Sequence, residues 1–121
     1  MQIMNKIVRK LLNSFCYSCA GIIACWYREA SFRIEVICFA ILSVLAWGVA
    51  HTLLELAALW GSLLLVLAFE LINSAIEKVA DSFVRELHHP LIKYAKDAAS
   101  AAVMLSIFIA ILIWIGILAG L

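Results

Sequence analysis

Proline is almost missing from this chain: Pro90 is the only one. There is no Gly/Ser-rich stretch either, so nothing marks a linker, and residues 1–121 read as a single domain. Glycine is sparse, five residues in all, and no segment resembles a glycine-rich phosphate loop, which excludes a P-loop nucleotide site. Charge is scarce too, at 14% of residues against 67% hydrophobic, with a mean hydropathy of +1.11. A soluble domain of this size has too little interior to hide so much apolar surface. Stretches 36–54, 56–69 and 98–121 contain no Lys, Arg, Asp or Glu. A bilayer crossing takes roughly 20 mostly apolar residues. The last stretch is long enough by itself. The second must continue past Glu70, which brings carboxylates to the bilayer's edge.

Basic residues are absent between the first two spans, where only His51 and Glu55 carry ionisable groups. Lys6, Arg9, Lys10, Arg28 and Arg33 precede the first span, and Lys78, Arg85, Lys93 and Lys96 surround the connection from the second to the third. The positive-inside rule therefore puts the N-terminus and the 78–96 region in the cytoplasm and the C-terminus outside. A net charge of +1 gives no reason to expect a nucleic-acid partner. Cys16 and Cys19 form a CxxC, but no second pair or nearby His completes a zinc site, and cytoplasmic thiols stay reduced. Small apolar packing residues are the better reading.

Polar Asn13, Ser14, Tyr17 and Ser18 interrupt the N-terminal segment, so it is no signal peptide. Ile7, Leu11, Phe15, Ile22 and Trp26 instead recur at helical spacing, which predicts an amphipathic helix on the membrane surface over about 1–30. Membrane-spanning helices are expected over 34–50, 53–82 and 92–119, with a turn near 50–52 and a polar, helix-ending stretch over 85–91. Ala95, Ala98, Ala99 and Ala102 give the third span a small-residue face for close helix approach.

The chemistry concentrates in the second span. At about 100° per residue, Glu70, Asn73, Glu77 and Asp81 fall within roughly 80° of arc. A stripe of acids on an apolar helix marks a functional site facing the bundle interior, against the plainer reading of a hydrogen-bonded packing network. Glu70 lies at the inner boundary of the hydrocarbon and suits proton abstraction; Glu77, about 10 Å further out, suits Mg²⁺ and phosphate. Phosphoryl transfer needs a metal clamp, cations on the phosphates and a positioned nucleophile. Glu29 with Glu77, Lys96 and Glu70 fill those roles. The plainer alternatives are an i,i+4 ion pair for Glu29 and Arg33 and interfacial anchoring for Lys96 and Asp97.

The motif Glu70-x-x-Asn73-Ser74-Ala75-Ile76-Glu77-x-x-x-Asp81 resembles the prokaryotic diacylglycerol kinase family. So do Ala95-Lys96-Asp97 with Ser100-Ala-Ala-Val, Tyr17-Ser18-x-x-Gly21 and Trp26-x-x-Glu29-Ala-x-Phe32-Arg33-x-Glu35. The resemblance implies a homotrimeric all-α membrane bundle with active sites shared between subunits. It implies Mg²⁺- and ATP-dependent phosphorylation of a lipid hydroxyl, 1,2-diacylglycerol to phosphatidic acid, at the bacterial inner membrane. Glu70 is then the base, held by Asn73, with Glu29 and Glu77 on the metal. Lys10, Tyr17, Lys96 and Asp97 join them around the nucleotide, with Glu86 and His88 near the adenine. Lys10, Ser18, Ser31, Phe32, Arg33, Glu35, Trp47, Glu70 and Ser100 border the lipid. The chain departs from the family with Lys10 for an Arg, Cys19-Ala20 for Trp-Lys, and a loop over 86–95 one residue longer. Two further readings stand: an undecaprenol kinase of the same family, towards which His89-Pro90 leans, and a proton-coupled transporter using Glu70.

Overall fold

The computed structural model describes residues 1–83 and 90–120 of the chain. Every element is helical: α1 (Gln2–Arg28), α2 (Ala30–Val49), α3 (Leu53–Phe83) and α4 (Pro90–Ala119). The last three contain segments long and apolar enough to cross a membrane, Ala30–Val49, Leu53–Ser82 and Pro90–Ala119. The all-α architecture of one amphipathic helix and three candidate spans agrees with the sequence pattern.

The junctions explain the boundaries. A single extended residue, Glu29, separates α1 from α2 (φ −115°, ψ 110°). Its N–H donates to the Cys25 carbonyl at 2.9 Å, and the Arg33 guanidinium donates to the carbonyls of Trp26 (2.9 Å) and Tyr27 (3.2 Å). The last carbonyls of a helix have no partner within it, so Arg33 caps α1 from the next helix. At the other end of α2, the Glu55 N–H donates to Thr52 Oγ1 at 3.1 Å while the Glu55 carboxylate accepts from the His51 N–H at 2.7 Å. This is close to a capping box and starts α3. Pro90 stands at the first position of α4, where the sequence reading treated it as a helix ender and began the span near 92. A proline lacks only an N–H that the first turn leaves unpaired anyway, so it opens helices well.

α3 is the centre of the bundle and packs most extensively on α4, then on α2. One stripe of it is buried, from Leu56, Leu59, Ser62 and Leu63 to Glu70, Asn73 and Ser74. Ala99, Ser106 and Ala110 are the buried positions of α4, small side chains that bring the two helices close. At the end holding the α2–α3 turn, Ala46, Leu56 and Leu59 form a core closed by Val49, Trp60, Ile113, Trp114 and Ile117. Most of α1 packs on nothing: none of its residues is buried, and Ile3, Ile7, Leu11 and Phe15 lie open.

Candidate active site

α3 is 31 residues long, about 46 Å, against a hydrocarbon layer of about 30 Å. Part of the helix must therefore project beyond the apolar layer, and its acids lie towards that end. Burial falls along the stripe. Glu70 (6% exposed) and Asn73 (8%) are buried, Glu77 is half-buried and Asp81 is exposed.

Each acid has a partner. Ser31 Oγ, one residue into α2, donates to Glu70 Oε1 at 3.0 Å. Asn73 Nδ2 donates to Glu77 Oε1 at 3.3 Å along the helix. Its amide oxygen is buried and accepts nothing among the described residues. Glu29 Oε1 lies 3.1 Å from Lys78 Nζ, and Lys96 Nζ donates to Asp81 Oδ1 at 2.9 Å, with Glu77 also within its electrostatic reach. The corner of α1 and α2 and the charged ends of α3 and α4 thus converge on one set of carboxylates. The Cys25 thiol registers this convergence: burial first, then the Glu29 and Glu70 charges, push its pKa up, with Lys78 opposing.

Two grooves flank the acids. One of about 450 Å³ runs between α1 and α3, past Ser18, Gly21, Arg28, Glu29, Ser74 and Lys78. The other, about 460 Å³, lies among α2, α3 and α4 and is apolar apart from Glu35 and Trp114. Glu35 Oε2 and Trp114 Nε1 are buried without hydrogen-bond partners among the described residues. An unpaired polar atom in an apolar surrounding is costly, on the order of 1–3 kcal/mol.

The other sequence-predicted residues spread more widely. Phe32 is buried at the α1–α2 corner, against Trp26 and Val36. Arg33 caps α1 instead of pairing with Glu29. Lys10 and Tyr17 are exposed on α1, and Ser18 Oγ donates to the Ser14 carbonyl at 3.0 Å. Asp97 pairs with Lys93 on the outside of α4, and Ser100 is exposed. Trp47 stands at the opposite end of α2, stacked edge-on against Trp60 with centroids 5.4 Å apart. Glu86 and His88 lie outside the described residues. Sequence reasoning missed Lys78 as the partner of Glu29 and Asp81 as the partner of Lys96. Both pairs join distant segments, which helical spacing does not reveal.

The family model described as prokaryotic diacylglycerol kinase matches residues 16–118. A diacylglycerol kinase of Haemophilus influenzae is 39% identical over 108 residues, covering 89% of this chain and 91% of its own. One of Escherichia coli K12 is 35% identical over 105 residues, covering 87% and 85%. One of Helicobacter pylori 26695 is 40% identical over 113 residues, covering 90% and 84%. Both the family model and these relatives extend over the α1–α2 corner, the acidic stripe and the start of α4, and on that ground the chain belongs to the prokaryotic diacylglycerol kinase family and is a membrane lipid kinase.

Proposed function

We propose that the chain transfers the γ-phosphoryl group of ATP, with magnesium, to the free hydroxyl of 1,2-diacylglycerol, giving phosphatidic acid at the cytoplasmic face of the bacterial inner membrane. The gradient of burial along Glu70, Asn73, Glu77 and Asp81 carries this reading. It sets a lipid-level carboxylate and a water-level carboxylate two helical turns apart on one face.

Glu70 accepts the proton of the lipid hydroxyl as that oxygen bonds to the γ-phosphorus and the bond to the ADP oxygen breaks. Ser31 holds the Glu70 carboxylate by the 3.0 Å hydrogen bond and fixes which oxygen is free to take the proton. Asn73 spans the two levels, since its amide group donates to Glu77 while its oxygen remains open. The lipid tail lies in the groove past Glu35, and we assign Ser31, Phe32, Arg33, Ser18, Lys10, Trp47 and Ser100 to the lipid's wider surroundings.

A kinase requires a nucleotide and a divalent metal. Among the described residues no three His, Cys, Asp or Glu side chains form a metal cage. Magnesium does not need one: it takes one or two carboxylates, with phosphate oxygens and water for the rest. Glu29, Glu77 and the unpaired Asn73 oxygen fit that demand. The ion would neutralise charge on the β- and γ-phosphates and orient them. Tyr17, Lys96, Asp97 and Lys10 border the nucleotide, with Glu86 and His88 near its base.

Among the described residues no extramembrane pocket encloses a nucleotide, and we assign that enclosure to neighbouring copies in a homotrimer. An apolar groove of Ile72, Ala75, Ile76, Val79, Leu91 and Ala95 beside the acids supports a neighbour at this end. Detergent-solubilised protein, incubated with ATP, magnesium and either diacylglycerol or undecaprenol, tests the reading through ADP release and the phosphorylated product. Diacylglycerol should be consumed in preference. Phosphorylation of undecaprenol alone reassigns the substrate, and absence of lipid-dependent ADP release refutes the reaction.

A further inference from the structure

Lys78 has no role in the reaction proposed above, yet its ammonium sits 3.1 Å from Glu29, one of the two carboxylates assigned to the metal. The two partners are unequal. Glu29 is the single extended residue between two helices, pinned by its own N–H to the Cys25 carbonyl and by its carbonyl to the Arg33 N–H at 3.2 Å. Its side chain is 19% exposed, whereas that of Lys78 is 61% exposed and ends a flexible four-carbon stem. If the pair opens, the carboxylate stays and the ammonium leaves. Of the neighbouring cations, Arg33 caps α1 and Lys96 is held by Asp81, while Arg28 lines the same groove as Glu29 but only Lys78 is paired with Glu29 among the described residues. Lys78 also follows Glu77 directly, so one turn of α3 supplies both a carboxylate for the metal and a competitor for its second ligand.

We propose that Lys78 is a placeholder cation, which neutralises Glu29 while the site is without metal and must be displaced before a divalent ion can engage that carboxylate. This rests on the assignment of Glu29 as a metal ligand. Two carboxylates facing one another without an intervening cation repel, and the exchange of an ammonium for a metal ion keeps Glu29 paired in both states. Because the ammonium is largely exposed, the competition is modest, about two- to fivefold in metal affinity, as for a weak ion pair.

Mn²⁺ titrated into the detergent-solubilised full chain without nucleotide, with free Mn²⁺ followed by electron paramagnetic resonance, tests this directly. Lys78→Met and Lys78→Gln should each bind Mn²⁺ about two- to fivefold more tightly than wild type, and Lys78→Arg should not. Glu29→Gln should weaken binding, and adding Lys78→Met to it should bring no further change. Equal or weaker Mn²⁺ binding by Lys78→Met, with Glu29→Gln still weakened, overturns the placeholder and leaves the metal assignment standing. A lower melting temperature in Lys78→Met without any gain in Mn²⁺ affinity also overturns it, since that marks a mere strut between α1 and α3. Mn²⁺ binding unaffected by Glu29→Gln removes the metal assignment itself, and the placeholder falls with it.

Discussion

The two ends of the bundle are built on opposite terms. At the turn between α2 and α3, Ala46, Leu56 and Leu59 are closed over by aromatic and branched side chains, and the polar groups of the turn satisfy one another through Thr52, His51 and Glu55. At the other end the buried positions are occupied by Glu70, Asn73 and Ser74, and an amide oxygen is left without a partner. The same helix face supplies both. α3 keeps one stripe inward from Leu56 to Ser74 but changes its chemistry along the way, from Leu to acid and amide. One end is therefore closed chiefly by apolar packing, with the Trp114 Nε1 left unpaired among the described residues, while the other buries carboxylate and amide groups that substrates can engage.

The strongest break in this contrast comes from Glu70→Gln, which keeps size and hydrogen bonding but cannot take the hydroxyl proton. It should lower kcat at least a hundredfold, on the order of 3 kcal/mol, with ATP affinity nearly intact. A folded variant that phosphorylates lipid at near wild-type rate would end the base assignment. Leu59→Ala probes the opposite end and should cost about 2 kcal/mol of stability in denaturant titration. That is the lower part of the range for buried leucines, because lipid is as apolar as the core and chiefly packing is lost. Its kcat per folded protein should stay at the wild-type value; a tenfold fall would show that the two ends are not separable.

Ser31→Ala removes the donor to Glu70 and should reduce kcat by about fivefold, roughly 1 kcal/mol, without altering Mn²⁺ binding. Equal losses in metal binding would place Ser31 nearer the nucleotide than the lipid. The smallest effect is expected from Thr52→Ala, which deletes the α3 cap and should destabilise by about 1 kcal/mol with kinetics unchanged.

The spans and the acidic stripe were legible in the sequence because both are properties of one helix: an uninterrupted apolar run and a 3.6-residue period. Glu70, Asn73 and Glu77 do face inward, in the order of decreasing burial that their spacing suggested. What one helix cannot disclose is the partner on another. Ser31 is 39 residues from Glu70, and Lys78 and Glu29 are further apart still. The i,i+4 ion pair of Glu29 and Arg33, the plainer alternative that spacing offers, does not form, because a one-residue corner turns Arg33 towards the carbonyls of α1 instead. The family resemblance brought Ser31 into view as a lipid neighbour, and the structure adds that its hydroxyl donates to the Glu70 carboxylate.

The corner at Glu29 also has a mechanical meaning. A residue at the vertex of two rods is the point that moves least when either rod turns. α1 is 27 residues, about 40 Å, so a tilt of about 10° at the vertex carries its free tip through about 7 Å. The Glu29 backbone, acting as the fulcrum, hardly shifts. A long arm can then follow the rise and fall of a lipid surface while the carboxylate at its pivot stays in register with α3.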